Sequence, residues 1–359
     1  MTDTPYLRVD DDVLRDNIDR MSDWAAEQGL LLRPHAKTHK CVQVAQRQID
    51  AGAIGLTVAT VGEAEAFANA GFTDLFLAYP LWPSPEKAQR LRLLSSHTSL
   101  RVGVDSAESA RALAAGLGRG AGAIETVVEV DSGMRRSGVA PERAGAVASA
   151  AADAGLNVVG VFTFPGHGYG PGSARRDAAG AEAHALAEAA EALRYAGIVP
   201  HVISGGSTPT VEFADPGVLT EIRPGVYPFN DAQQVELGSC GVDDVSLAAI
   251  ATVVSVAADG DGERIVLDSG SKTLGADRPA WTTGFGRLPD FPDARIVSLS
   301  EHHAVVENPV GAAGLPGRGE QVRVIPNHVC SAVNLADELV AATATGFERW
   351  PLIARGANS

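Results

Sequence analysis

The chain has 359 residues, 45% of them apolar, enough for a large domain and a smaller one, which excludes a disordered chain. A net charge of −15 argues against nucleic acid and anionic membrane surfaces as partners, and three cysteines, Cys41, Cys240 and Cys330, are too few and too scattered for a disulfide framework. The opening residues, MTDTPYLRVDDD, lack the basic and apolar segments of a secretory signal, and the longest apolar run, Ser246 to Ala258, is too short to span a membrane, so a cytoplasmic protein is expected.

A short apolar piece, Tyr6 to Val9, precedes the first helix. That helix starts among the cap-type carboxylates Asp10 to Asp12, carries Leu14, Ile18, Met21 and Ala25 as one stripe, and ends at Gly29. In Leu31 to Lys40, Arg33, His35 and Lys37 alternate with Leu32, Pro34 and Ala36, the period of a β-strand. A regular alternation follows. Helix-like Val42 to Ala51 leads to strand-like Ile54 to Val58, Gly62 to Ala70 to Asp74 to Ala78, and Pro85 to Ser96 to Leu100 to Val104. Ala107 to Leu117 leads to Thr126 to Val130, Pro141 to Ala154 to Val158 to Thr163, and the alanine-rich Asp177 to Ala196 to Val199 to Ser204. Leu219 to Arg223 reads as an eighth strand. Eight strands with helices between most of them predict an α/β fold, a closed (β/α)8 barrel of the TIM type, over residues 16–245. A doubly wound sheet shares the rhythm, but no Gly-x-Gly-x-x-Gly turn follows the first strand. From about Ser246 the helical stripes give way to short β-rich runs at Val253 to Val256, Arg264 to Leu267, Arg295 to Leu299 and Gln321 to Ile325. They predict a smaller, all-β domain over residues 246–359, with residues 1–15 as a segment able to pair with it.

A lysine at the end of a buried strand is desolvated, and the lowered pKa makes its amine a nucleophile able to form a Schiff base. The same stretch also reads as a basic edge strand with solvated side chains. In a barrel, chemistry gathers at the C-terminal ends of the strands, and phosphate is often held by the loops after strands seven and eight. Strand seven is followed by Ser204-Gly205-Gly206-Ser207-Thr208, whose glycines let backbone N–H groups approach an anion and whose hydroxyls add donors. Strand eight leads into Gly225 and Tyr227. A cofactor with an aldehyde for Lys37 and a phosphate for these loops is pyridoxal 5′-phosphate, and His35 lies on the same strand face as the lysine. Strand five ends with Glu129 and Asp131 on one side. An arginine just beyond, Arg136, pairs with them or hydrogen-bonds the phenolic oxygen of the cofactor.

Pro34 to Lys40, Ala59 to Ala64, Phe164-Pro165-Gly166-His167-Gly168-Tyr169, Ser204 to Pro209, Arg223-Pro224-Gly225 and Pro326-Asn327-His328-Val329-Cys330 together resemble the D-serine dehydratase / D-threonine aldolase family. These enzymes are relatives of alanine racemase, with a barrel and a β-domain, and the matches run in order along nearly the whole chain. The resemblance implies that Lys37, rather than Lys40, is the Schiff-base lysine, and that Tyr169 belongs to the cofactor site. It also implies a divalent metal in the β-domain, bound by an element of His-x-Cys or His-Cys-Asp type, here His328 and Cys330. On a strand, residues two apart face the same way; imidazole and thiolate suit Zn²⁺ best, with Mn²⁺ or Mg²⁺ as alternatives. The family commonly has tyrosine where this chain has Phe164. Cys41 and Cys240 read as ordinary buried residues, and His302 and His303 as a surface turn.

The enzyme so implied is a pyridoxal-phosphate- and metal-dependent lyase acting on small D-3-hydroxy amino acids. Released Lys37 takes the Cα proton, the metal on His328 and Cys330 makes the β-hydroxyl a leaving group, and a 2-oxo acid and ammonia result, as in D-serine dehydratase. Retro-aldol cleavage to glycine and an aldehyde is the alternative; Cys330 as second ligand resembles the dehydratase branch. An amino-acid racemase and a non-catalytic cofactor-binding protein are further alternatives. The resemblance also implies a homodimer.

Overall fold

The computed structural model describes residues 3–259 and 262–359. Met1, Thr2, Gly260 and Asp261, which fall in the expected N-terminal segment and β-domain, lie outside the described residues. The chain opens with β1 (Tyr6–Asp10), α1 (Asp11–Glu27), β2 (Leu31–Leu32), α2 (Val42–Asp50), β3 (Leu56–Val58), α3 (Val61–Asn69), β4 (Asp74–Pro80), α4 (Pro85–Ser95) and β5 (Ser99–Val104). It continues with α5 (Ala107–Leu117), β6 (Glu125–Glu129), α6 (Ala144–Asp153), β7 (Asn157–Phe162), α7 (Ala174–Tyr195), β8 (Val202–Gly205), β9 (Glu221–Ile222) and α8 (Ala232–Leu237). Last come β10 (Leu247–Asp259), β11 (Gly262–Leu267), α9 (Ser271–Leu274), β12 (Gly286–Arg287), β13 (Arg295–Leu299), β14 (Ala304–Asn308), β15 (Gln321–Pro326), α10 (Val329–Leu335), β16 (Glu338–Thr343) and β17 (Gly346–Pro351).

Two compact units result. One comprises Arg20–Lys37, Ala45–Gly225 and Gly356–Ser359, the other Met1–Asp19, Thr38–Val44 and Val226–Arg355. The first is the barrel unit. Its strands pair in parallel in the order β2-β9-β8-β7-β6-β5-β4-β3. A parallel bridge between His35 and Thr57 joins the first of these to the last, closing the sheet into the (β/α)8 form. The apolar strands are buried on both faces, as parallel strands covered by helices must be. Helix α7 turns a face of alanines inward (Ala178, Ala179, Ala183, Ala185, Ala189 and Ala190), which lets it approach the barrel closely.

Inside the barrel, near the N-terminal ends of the strands, sits a layer of paired charges. Arg33 Nε donates to Glu221 Oε2 at 2.8 Å and its Nη1 to Asp74 at 2.5 Å, while Arg101 reaches Glu221 at 3.0 Å and Glu125 at 2.8 Å. Burial alone would raise the Glu221 pKa, but the two guanidiniums hold it below its ordinary value. Arg33, which alternates in the sequence with His35 and Lys37, belongs to this ion-paired layer. Above it Phe76 and Phe162 meet edge to face, ring centres 5.2 Å apart, and pack with Val127.

The second unit is built on a nine-stranded sheet that includes β1, antiparallel to β10 and parallel to β16. It is not purely β: helix α10 interrupts it between β15 and β16. Residues Thr38–Val44 also belong here rather than to the barrel, because Lys40 Nζ donates to Asn334 Oδ1 at 2.7 Å and to the Ala354 carbonyl at 3.3 Å, and Cys41 bridges Leu352. Among the described residues no helix is long and apolar enough to cross a membrane.

Candidate active site

The opening stretch forms regular strand only at Leu31–Leu32. The proline at 34 has no N–H to give to a ladder. Beyond it the chain is held by single bonds to both neighbours, His35 N–H to the Pro224 carbonyl at 3.1 Å and Ala36 N–H to the Thr57 carbonyl at 2.8 Å. Lys37 therefore sits in a turn at the strand's end, half-buried, and not within a strand. Its backbone N–H lies 3.4 Å from His35 Nδ1.

The barrel unit gathers several of the expected residues around one ring. Lys37 Nζ lies 5.4 Å from the centre of the Phe164 ring, Arg136 Cζ lies 5.2 Å from it, and the Tyr169 ring is 6.4 Å away. Lys37, Arg136 and Tyr169 thus converge at the C-terminal ends of β2, β6 and β7. Gly225 follows Pro224, whose carbonyl accepts from His35, so β2 and β9 end side by side.

The loop after β8 is more committed to the protein than its composition suggests. The Ser204 hydroxyl is fully buried; it donates to Glu221 Oε1 at 2.7 Å and accepts from Arg223 Nε at 2.8 Å. Ser207 is buried and exchanges hydrogen bonds with Thr210, and Gly206 N–H donates to Glu182 Oε1 at 2.7 Å. Gly206 has φ 78°, a conformation that glycine adopts without strain. Thr208 completes the loop, 8% exposed.

Three groups named in the sequence take parts here that sequence reasoning did not assign. Arg223 is wholly buried against the Phe76 and Phe162 rings, and burial lowers its pKa to about 10. Glu129 accepts from Ser137 Oγ at 3.0 Å, and burial pushes it up to about 7, with Arg136 and Arg223 opposing. Phe164 was legible only as the absence of a phenol. Asp131 has a different part: its Oδ1 accepts from the backbone N–H groups of Gly133 and Arg135 and shapes the loop that carries Arg136.

Tyr227, His328 and Cys330 belong to the other unit. Tyr227 is buried in the turn that precedes α8. His328 and Cys330 are not on a strand: β15 ends at Pro326, His328 is the N-cap of α10, and Cys330 lies in its first turn. The cause is distant in sequence. Asp231, fully buried, caps α8 by accepting from Gln234 N–H at 3.0 Å; its other oxygen accepts from Val329 N–H at 3.1 Å and lies 3.3 Å from His328 Nδ1. The Cys330 thiol donates to Thr38 Oγ1 at 3.2 Å, next in the chain to Lys37. Burial alone would lower the His328 pKa, but Cys330 and Asp231 outweigh it and hold the imidazole well above its ordinary value, an environment that favours a cation. His302 and His303 lie in an exposed turn.

Both implied groups fit these residues. An amine, a guanidinium and aromatic rings surround one point of the barrel, and two buried atoms at that end, Glu129 Oε2 and His167 Nδ1, have no hydrogen-bond partner within the described residues, as in a site that a ligand completes. An imidazole oriented by a buried carboxylate beside a thiol is a metal-binding donor set. No three His, Cys, Asp or Glu side chains are grouped for a metal among the described residues, so this pair would leave coordination positions open.

Residues 9–232 match the family model "Alanine racemase, N-terminal domain", and residues 246–342 match "Putative serine dehydratase domain". The chain is 37% identical over 351 residues to D-threo-3-hydroxyaspartate dehydratase from Delftia sp. (strain HT23), covering 92% of this chain and 91% of that one. The solved structure of that dehydratase matches with a TM-score of 0.90 at 34% identity, covering 98% of this chain and 97% of the other. A cysteine-to-alanine variant of it is known in a metal-free form. Identity to the D-threonine aldolase of Arthrobacter sp is 33% over 365 residues, with 99% and 93% covered.

Proposed function

The chain belongs to the fold-type III pyridoxal-phosphate enzymes, with an alanine racemase-type domain followed by a serine dehydratase-type domain, and on that premise we propose that it is a lyase removing ammonia from D-3-hydroxy amino acids. The observation that carries this reading is the meeting of Lys37, Arg136 and Tyr169 around Phe164. Pyridoxal 5′-phosphate, when bound, supplies an aldehyde for the lysine and a ring that accepts the electron pair left at Cα. A divalent metal, best Zn²⁺, supplies Lewis-acid assistance to departure of the β-hydroxyl.

Lys37 would hold the cofactor, and its amine is placed to take the proton from Cα. His35 fixes the turn that carries Lys37, and Arg136, over the Phe164 ring, adds positive charge beside it. Thr208 and Gly225, at the ends of β8 and β9, and Tyr227 and Tyr169 are the remaining cofactor contacts of this reading. With Nδ1 held beside Asp231, His328 would bind the metal through Nε2, together with the Cys330 thiolate. Loss of the Cα proton and the β-hydroxyl gives an amino-enoate, which hydrolyses to a 2-oxo acid and ammonia.

Cys330 as the second ligand after His328 favours this elimination over cleavage of the Cα–Cβ bond. The enzyme loaded with pyridoxal phosphate and Zn²⁺ is to be incubated with D-serine, D-threonine, D-threo-3-hydroxyaspartate and D-alanine. A 2-oxo acid with ammonia, abolished by chelator, is expected; glycine with an aldehyde marks an aldolase, and the L-isomer without metal dependence a racemase. The same reading expects a homodimer, which light scattering checks.

A further inference from the structure

We propose that Glu182, on helix α7, is a positioning residue that shapes the loop Ser204–Thr208 for the phosphate of the cofactor, an inference that rests on the reading of this loop as the phosphate seat. Glu182 is the one acidic residue among the buried positions of α7, and it is fully buried. Burying a carboxyl in such a place is costly, so a position needed only for packing would be filled by another alanine. Its Oε1 accepts the Gly206 N–H at 2.7 Å, and a Cβ on Gly205 would lie 2.4 Å from the same oxygen. The carboxyl thus explains both glycines: Gly205 gives it room, and Gly206, at φ 78°, turns its N–H back toward it. Oε2 has no hydrogen-bond partner within the described residues, and burial pushes the group up to about 7, with the charge of Arg223 opposing.

Three donors that the loop would otherwise offer an anion are consumed inside the protein, the Ser204 hydroxyl by Glu221, the Gly206 N–H by Glu182 and the Ser207 N–H by Thr210. Recognition of a phosphate by this loop therefore falls to the residues after Gly206, and their direction is set by the bond to Glu182.

The test uses cofactor-free enzyme titrated with pyridoxal phosphate and with pyridoxal, which lacks the phosphate, read by absorbance rather than by turnover. Wild type is expected to prefer the phosphorylated form. Glu182→Ala is expected to lose about tenfold of that preference with pyridoxal affinity unchanged, whereas Glu182→Gln, which keeps the acceptor for Gly206, stays within about threefold of wild type. Gly205→Ala, whose methyl displaces the carboxyl, is expected to reproduce the loss and serves if Glu182→Ala does not fold. Equal weakening of both ligands in these variants would mean a merely structural role and overturns the proposal. Thr208→Val separates the two ideas. If it alone lowers the preference, Glu182 has no positioning role; if it leaves the preference intact, the loop is not the phosphate seat and the site reading itself fails.

Discussion

Pyridoxal chemistry needs a lysine, and this chain has four. Lys272 is paired with Glu301, Lys40 is buried and committed to Asn334 and Ala354, and Lys87 lies on the outer helix α4. Lys37 is the lysine that lies beside Phe164, with Arg136 over the same ring. Glu129 nearby makes a pH prediction. Burial raises its carboxyl from 4.5 to about 7, so the folded chain keeps this proton to higher pH than the unfolded chain does. Its contribution to stability is therefore complete below about pH 4.5 and is lost as pH rises through about 7, a swing on the order of 3 kcal/mol. Glu129→Gln, which keeps an acceptor for Ser137, should raise Tm relative to wild type at about pH 8.5 and change it little at about pH 5. Thermal melts at both values check this, and the same shift at both would contradict it. At this scale the sequence singled out Lys37 and Arg136, because strand ends are where barrels place chemistry. It could not reveal that the ring between them is Phe164, because side-chain grouping across β2, β6 and β7 is a tertiary fact.

The elements divide into those with local causes and those with distant ones. All eight barrel strands were legible, since each is a short apolar run bounded by a helix. The first strand read too long because alternation continues through Lys37 while Pro34 stops the ladder. Helix α10 read as strand because the side chain that accepts from its first N–H, that of Asp231, lies 98 positions from Val329. That contact is testable. Asp231→Ala removes the partner of His328 Nδ1 and should weaken Zn²⁺ binding by about 10–100-fold, as loss of such an outer partner does. Competition with a chromogenic chelator measures it, and unchanged affinity would remove Asp231 from the metal site. The charged layer under the barrel site makes a different kind of prediction. Glu221→Ala leaves Arg33 and Arg101 without their shared carboxylate and should cost about 3–5 kcal/mol in urea unfolding. A loss below about 1 kcal/mol would show that the layer is not holding the barrel together.

At the scale of the molecule, the order of a barrel followed by a mainly β unit was readable from the change in texture near Ser246, but the boundary was not. Thr38–Val44 lies in the second unit, next to Lys37 in the chain, because Lys40 and Cys41 make their contacts there. Contacts with residues some 300 positions away leave no trace in local sequence pattern. The consequence is that the chain leaves the barrel unit immediately after Lys37, and that Thr38 meets Cys330. The central claim, that Lys37 carries the cofactor, is tested most directly by borohydride reduction of the loaded enzyme followed by peptide mapping. The account predicts a single pyridoxyl group, on Lys37; a group on Lys40, Lys87 or Lys272, or none on Lys37, would contradict it.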